Sequence, residues 1–168
     1  MTAHSIDPDQ IQKWCQETHL VISIGMQVLE LKQGAHKIWA APISTAKNGV
    51  GEEEGSHKTP QGWFRISEKI GDPHPIGTVF KSRKPTGALW RPDSPPTQED
   101  LILTRILWLE GLEPRNANTK NRYIYFHGTN QEALIGQPVS HGCIRLRNQA
   151  MIHLYDFVKV HTPVWITL

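Results

Sequence analysis

Cysteine is scarce in this chain, and so are net charge and long apolar segments. Cys15 and Cys143 are the two cysteines among 168 residues, and they lie far apart, which excludes a disulfide framework. The formal net charge is +2 and the basic residues are scattered, which argues against a nucleic-acid-binding protein. The longest apolar runs have the length of core strands, so no membrane-spanning helix is predicted.

What is present is the composition of an ordinary globular domain. Hydrophobic residues make up 38% and charged residues 20% of a chain that is long enough to bury its own core. The segment from Met1 to Asp9 lacks the basic and apolar regions of a secretory signal. We therefore expect a cytoplasmic protein, or a periplasmic one if a signal was removed. Cys15 falls in a predicted helix and is interpreted as a structural or surface thiol.

The spacing of apolar residues predicts a chain built mainly from short strands. Asp7-Pro8 predicts the start of a helix that continues to about Glu17. Strand patterns follow from Leu20, and Gln33-Gly34 indicates a hairpin between two of them. Helical spacing returns from Asn148 to Val160. Long irregular segments, of the kind that often surround a binding cleft, are predicted at 47–62, 82–98 and 113–122.

These elements predict a mainly β fold in a single domain. We expect a β-sandwich or partly closed barrel with small helices. Residues 1–19 are predicted to form an N-terminal helical segment, and residues 20–168 the β-rich domain. The sequence gives no indication of the oligomeric state.

The last third of the chain holds the residues with the clearest chemistry. A buried-type strand from Arg122 to Phe126 leads to His127-Gly128-Thr129-Asn130, and Ser140-His141-Gly142-Cys143-Ile144-Arg145-Leu146 follows. A free thiol titrates near ~8.5 and supplies little thiolate at neutral pH. An imidazole beside the sulfur would accept its proton and leave an ion pair, as in Cys–His acyl-transfer enzymes. Cys143 is therefore the candidate nucleophile.

Two other interpretations of these residues stay open. Cys143 could be an inert buried thiol, although its neighbourhood of histidines, glycines and an arginine makes this a poor explanation. Alternatively, His127, His141 and Cys143 could bind zinc together, with water at a fourth position. The zinc content of the protein would decide the second case.

The two motifs resemble the signature of the L,D-transpeptidase catalytic domain family (YkuD-like). Segments upstream are similar to other parts of the family pattern: Pro42-Ile43-Ser44-Thr45, Lys58-Thr59-Pro60-Gln61-Gly62-Trp63-Phe64-Arg65-Ile66 and Pro75-Ile76-Gly77-Thr78. The resemblance covers roughly Leu20 to Leu168. It implies an enzyme that acts on the stem peptide of bacterial peptidoglycan, without a metal or other cofactor.

The resemblance also implies catalytic roles. Cys143 would be the nucleophile and His127 its base, with the carbonyl of Gly128 holding the other ring nitrogen of His127. His141 would lie near the thiolate and shape the oxyanion site. The backbone N–H groups of Gly142 and Cys143 would be the oxyanion donors.

The same resemblance implies substrate contacts. Arg145 would bind a substrate carboxylate in bidentate fashion, and the alternative is a salt bridge to a loop acid such as Glu132. Arg145 lies two positions after Cys143, which places both side chains on one face if the chain is extended there. Ser140 and Tyr125 are also expected to contact the substrate.

The expected reaction removes the terminal D-alanine from a tetrapeptide stem through a thioester. Water would then take the acyl group, which is an L,D-carboxypeptidase reaction suited to recycling muropeptides in the cytosol. The alternative is an amine acceptor, which gives peptidoglycan cross-links or exchanged D-amino acids. A third possibility is a catalytically inactive peptidoglycan-binding domain, but the intact Cys143 and His127 argue against it. Neither nucleic acid nor a membrane is an expected partner.

Overall fold

The structure, a computed structural model, describes residues 5–168. Its two α-helices are α1 (Pro8–Gln16) and α2 (Asn148–Phe157). Its ten strands are β1 (Thr18–Ser23), β2 (Val28–Gln33), β3 (His36–Pro42), β4 (Gly62–Ile70), β5 (Thr78–Lys81), β6 (Lys84–Leu89), β7 (Ile102–Gly111), β8 (Tyr125–Gly128), β9 (Ile144–Leu146) and β10 (Pro163–Thr167). Within the described range, neither helix has the length and apolar composition needed to cross a membrane.

The strands form one mixed sheet. Its order is β3-β2-β1-β10-β4-β7-β5-β6, and β7 also pairs with β8, which in turn pairs with β9. The pairs β1–β10 and β8–β9 are parallel, while the others are antiparallel. Beyond β9, a bridge between Arg145 and Ser44 returns to the chain just after β3 and partly closes the sheet. The predicted mainly β, single-domain fold with small helices is therefore confirmed.

The core fixes the strand that carries His127. Alternation along β1 buries Leu20 and Ile22 completely. One face of α2 adds Met151 and Leu154 to the same cluster, and α2 lies against β7 and β8. Each buried aliphatic side chain of this size contributes about 1.5–3 kcal/mol. The helix thus holds β8 in place from the side of the core.

The N-terminal elements agree with the sequence pattern. The Asp7 carboxylate accepts a hydrogen bond from the Asp9 N–H at 3.0 Å and caps α1. Trp14 of α1 packs on Trp63 of β4 with ring centroids 5.2 Å apart, which joins the helix to the sheet. The predicted hairpin is formed by β2 and β3, and Gly34 in its turn has a φ of +57°.

Two predictions of local structure were wrong in part. The irregular segment 82–98 contains β6, whose residues are all exposed and which pairs with β5. Proline and glycine are rare inside strands, so Pro85 and Gly87 led to the prediction of a loop. Proline is tolerated there because β6 lies at the sheet edge. The strand predicted for 122–126 begins only at Tyr125, because Tyr123 has a φ of +58° that interrupts extended backbone. His127 therefore lies inside β8 and not after it.

Candidate active site

The candidate site is built on the parallel pair of β8 and β9. His127 is paired in register with Arg145, and β8 is hydrogen-bonded to β7 on its other side. Cys143 immediately precedes β9, at the point where a loop enters the strand. Side chains two residues apart in a strand share a face, so Tyr125 and His127 point to the same side. Two neighbouring strands thus present the sulfur and the imidazole from a rigid part of the sheet.

The sulfur of Cys143 lies against the backbone just before and within β8. It accepts a hydrogen bond from the Tyr125 N–H at 3.3 Å, and the thiol donates to the carbonyl oxygen of Tyr123 at 3.3 Å. The residue is only partly buried, packing beside Phe80 and Ile106. Burial in this apolar setting raises the pKa of the Cys143 thiol to about 11, although the Tyr125 N–H opposes the shift.

His127 is held in the tautomer that a base requires. Its Nδ1 lies 2.6 Å from the carbonyl oxygen of Gly128. Because a carbonyl can only accept, Nδ1 carries the proton and Nε2 keeps a free lone pair. Burial lowers the pKa of His127 below its usual range, against the opposing effects of the Gly128 carbonyl and Asp100. The imidazole is therefore neutral at pH 7 and ready to accept a proton.

These pKa directions describe a neutral Cys143 thiol and a neutral His127 imidazole. An ion pair was expected from the sequence, but burial disfavours both charged forms. The thiol lies 3.3 Å from the carbonyl oxygen of Tyr123, and no hydrogen bond joins it to His127. If Cys143 is the predicted nucleophile, transfer of its proton to Nε2 would belong to the step in which the sulfur attacks.

The backbone of Gly128 also packs too closely against its neighbours to carry a side chain. A Cβ at this position would collide with the side-chain oxygen of Asn148 and would lie 2.8 Å from the carbonyl of Leu103. Asn148 in turn accepts from the Thr104 hydroxyl at 2.6 Å and donates to the Thr129 carbonyl at 2.8 Å. Close packing thus requires glycine after His127, which ties the base to the start of α2.

The loop before Cys143 is fixed by hydroxyl groups. Ser140 is buried, and its Oγ donates to the Cys143 carbonyl at 2.6 Å and accepts from the Gly142 N–H at 3.2 Å. The Thr59 hydroxyl donates to the Gly142 carbonyl at 3.0 Å, and Gly142 has a φ of +126° that favours glycine. Ser140 therefore supports the loop before Cys143, and its expected substrate contact would have to use the one acceptor lone pair that its hydroxyl keeps.

The two expected oxyanion donors differ in whether they are already hydrogen-bonded. The Gly142 N–H already points to Ser140, whereas the Cys143 N–H finds no acceptor among residues 5–168. An oxyanion beside the sulfur can therefore take the Cys143 N–H directly. It would have to compete with Ser140 for the Gly142 N–H.

Arg145 departs from its expected role. Its side chain is 2% exposed, and it binds Asp100 through Nη2 at 2.6 Å and Gln131 through Nη1 at 2.8 Å. The remaining Nε is buried as well. The charge of this guanidinium is already paired with Asp100, and its remaining N–H groups are buried, so the structure favours a structural ion pair over the expected substrate anchor. The acid is Asp100, not Glu132, whose carboxylate accepts from the Asn148 N–H at 3.1 Å.

We expect Asp100→Ala to lower the free energy of unfolding by about 2–3 kcal/mol, because the Arg145 guanidinium would stay buried without its counter-ion. Denaturant titration measures this loss. Glu99→Ala, which removes the neighbouring exposed acid, is the matched control and should change stability by less than about 0.5 kcal/mol. Equal stability of both variants would show that the pair does not support the fold.

His141 and Tyr125 also differ from expectation. The His141 side chain is 70% exposed, with Nδ1 3.4 Å from Asp100 and the ring edge-on to His57 at 5.9 Å between centroids. Tyr125 is buried, and its Oη accepts from Nη1 of Arg83 at 3.1 Å. His141 thus lies exposed beside an acid, while the Tyr125 phenol is hydrogen-bonded to Arg83.

Comparison with known families decides what this site belongs to. The family model described as the L,D-transpeptidase catalytic domain (YkuD) matches residues 17–166. The chain belongs to the L,D-transpeptidase catalytic domain family. The match begins one residue before β1 and ends within β10, so α1 lies outside it. The family resemblance seen in the two sequence motifs is thereby confirmed.

Individual relatives in the L,D-transpeptidase family agree. YqjB of Bacillus subtilis, provisionally assigned as an L,D-transpeptidase, is 31% identical over 109 residues, which are 65% of this chain and 52% of YqjB. An L,D-transpeptidase from Mycobacterium smegmatis superposes with a TM-score of 0.58 at 20% identity, covering 90% of this chain and 59% of that chain. The L,D-transpeptidase of Xylanimonas cellulosilytica gives 0.58 at 18% identity, covering 90% and 61%. The structural likenesses show a shared fold, and the chain spans between half and two thirds of these relatives.

The zinc interpretation finds no support in this L,D-transpeptidase-family site. Between residues 5 and 168, no group of three or more His, Cys, Asp or Glu side chains is arranged to hold a metal ion. Nδ1 of His127 is occupied by Gly128, and His141 is turned toward Asp100. The three proposed ligands therefore do not form a zinc site in this structure.

Several residues of the L,D-transpeptidase-family site were missed by sequence reasoning. Arg83 comes from the predicted irregular segment 82–98 and Asp100 lies just after it, and neither residue carries a local sequence signal. Tyr123 reads as part of a strand, yet its carbonyl accepts from the thiol. Thr59 did carry a signal, since Lys58-Thr59-Pro60 belongs to a segment that resembles the family pattern.

Proposed function

We propose that the protein is a cysteine acyl-transfer enzyme that releases the terminal D-alanine from peptidoglycan stem peptides through a thioester on Cys143. The observation that carries this proposal is the placement of a partly exposed thiol directly before β9, on the strand next to β8, whose imidazole has its Nδ1 fixed on Gly128. That tautomer makes Nε2 the base. Family membership supports the substrate class.

Acylation would proceed with the following transfers. Nε2 of His127 takes the thiol proton while Sγ of Cys143 attacks the carbonyl carbon of the bond before D-alanine. The oxygen of this carbonyl becomes an oxyanion that accepts from the Cys143 N–H. The C–N bond then breaks, the imidazolium gives its proton to the leaving amine, and D-alanine departs. The acyl group remains on Sγ as a thioester.

Deacylation would use the same base in the same tautomer. His127 takes a proton from the attacking group, the C–S bond breaks, and the imidazolium returns the proton to the sulfur. Water as the attacking group gives hydrolysis, which is the reaction we propose. An amine gives transpeptidation, the second candidate, which is favoured by the L,D-transpeptidase names of the relatives.

Product analysis tests the proposed function. The protein is incubated with a muropeptide tetrapeptide, first alone and then with an added acceptor amine, and the products are identified by mass spectrometry. Tripeptide and free D-alanine in both reactions support hydrolysis, whereas a cross-linked or exchanged product identifies a transpeptidase. Peptide that binds and is recovered unchanged would identify a binding domain and overturn the proposal.

A further inference from the structure

A second arginine lies at the candidate site, at the tip of the hairpin between β5 and β6. The turn consists of Ser82 and Arg83, which have φ values of +49° and +65°. Left-handed conformations at both positions match the twist of a tight two-residue hairpin. The turn is thus well defined, although its sequence lacks the usual glycine or asparagine.

Three aromatic residues hold the Arg83 guanidinium. Its central carbon lies 4.9 Å from the centroid of the Trp108 ring and 5.0 Å from that of Tyr123. Its Nη1 donates to the Oη of Tyr125 at 3.1 Å. Trp108 also packs against both tyrosines, with centroids 5.8 Å from Tyr123 and 5.7 Å from Tyr125. The guanidinium is therefore fixed in position before any ligand arrives.

Arg83 forms no salt bridge within the described part of the chain. None of the salt bridges among residues 5–168 includes Arg83, and one of its five N–H donors has a partner. Arg145 is the opposite case, since it is buried and paired with Asp100. Of the two arginines, Arg83 is the one that can receive an anion.

The same aromatic residues connect Arg83 to the nucleophile. The Tyr123 carbonyl and the Tyr125 N–H both contact Sγ of Cys143 at 3.3 Å, while the rings of these residues hold Arg83. The sulfur thus contacts the backbone of the same two tyrosines whose rings contact the guanidinium. A ligand whose carbonyl reaches Sγ can place a carboxylate several bonds away beside Arg83.

We propose that Arg83 binds a side carboxylate of the stem peptide, one that stays on the acyl part after D-alanine has left. The proposal rests on the proposed function for its substrate class. A planar guanidinium donates two parallel N–H hydrogen bonds to a carboxylate, and the aromatic rings already hold these donors in one orientation. Arg83 would then make the cleft select acidic stem peptides over their amidated forms.

Binding measurements test this assignment without relying on turnover. In full-length protein carrying Cys143→Ala, the dissociation constant is measured by calorimetry for a tetrapeptide with free side carboxylates. It is measured again for tetrapeptides in which each side carboxylate is amidated in turn. We expect one amidation to weaken binding about tenfold, the lower end for a charge-assisted hydrogen bond in a partly exposed site. Adding Arg83→Gln should weaken the acidic peptide equally and abolish the difference.

Lys84→Gln, in the next residue of the hairpin, is the matched control. It removes the same charge from an exposed side chain and should preserve the preference for the acidic peptide. If Arg83→Gln weakens the binding of acidic and amidated peptides equally, Arg83 supports only the hairpin structure and the proposal is overturned. The proposal is also overturned if the protein with arginine at position 83 binds acidic and amidated peptides equally well. D-alanine release by the wild-type protein, measured separately, tests the proposed function, so the two failures are distinct.

Discussion

Cys143→Ala is expected to reduce the release of D-alanine by a factor of about 10⁴ or more, because the acyl group would have no nucleophile to receive it. Residual activity should be limited to what binding and oxyanion contacts provide. The measurement is single-turnover release of D-alanine from a tetrapeptide, followed by quantification of the free amino acid.

The fold of this variant should survive. The sulfur lies at the edge of a small cluster with Phe80 and Ile106, so its removal should cost about 1 kcal/mol of stability. Cys15→Ala is the matched control, because Cys15 is exposed on α1 and should leave the rate unchanged. More than trace activity in Cys143→Ala with a folded protein would assign the nucleophile elsewhere.

His127→Ala is expected to lower kcat/KM by about 10²- to 10⁴-fold, the usual contribution of a general base. Its pH dependence is more diagnostic. His127 must be neutral to accept the thiol proton, and burial lowers its pKa. Activity of the wild type should therefore persist below pH ~6.5 and fall only at more acidic pH. That acidic limb should disappear from the kcat/KM profile of the variant.

A matched histidine controls for general effects of the substitution. His153 lies on α2, stacked on Trp39 with centroids 5.7 Å apart, and His153→Ala should retain the wild-type profile. If the acidic limb persists in His127→Ala but vanishes in His141→Ala, the base is His141. That result would contradict the assignment of Nε2 of His127.

The neutral state of the pair also predicts the reactivity of the free protein. With the pKa of Cys143 near 11, alkylation by a small uncharged reagent should be slow at pH 7 and should rise steadily above pH 9. Cys15 is the internal comparison within the same sample. A rate at neutral pH far above that of Cys15 would show the ion pair that the sequence argument anticipated.

Local sequence determines those parts of the fold and site that depend on neighbouring residues. The Asp7 cap, the hairpin at Gly34 and the α2 spacing all rest on contacts within a few residues, and these predictions held. The motif around Cys143 was recognisable because residue type and spacing are themselves its signature. The conformation of Tyr123 was not, since positive φ at tyrosine depends on what surrounds it.

The ion pairs around the site depend on contacts that sequence does not report. Arg145 lies opposite His127 in the parallel pair of β8 and β9, and it is buried together with its ion-pair partner Asp100, which comes from a distant loop. Arg83 lies in the turn that leads into the edge strand β6. This strand was not predicted, because its residues are exposed and include Pro85. Tertiary contacts therefore determine that Arg145 is ion-paired while Arg83 forms no salt bridge among residues 5–168.

The covalent state of Cys143 during turnover is the measurement that tests the central claim most directly. The protein is mixed with a tetrapeptide, quenched in acid over a series of times, and analysed by intact-protein and peptide mass spectrometry. We predict a mass gain equal to the tetrapeptide minus D-alanine, located on Cys143, absent from Cys15 and removed by hydroxylamine. Release of D-alanine with no acyl group on Cys143 at any quench time, or with the group on another residue, would contradict the account.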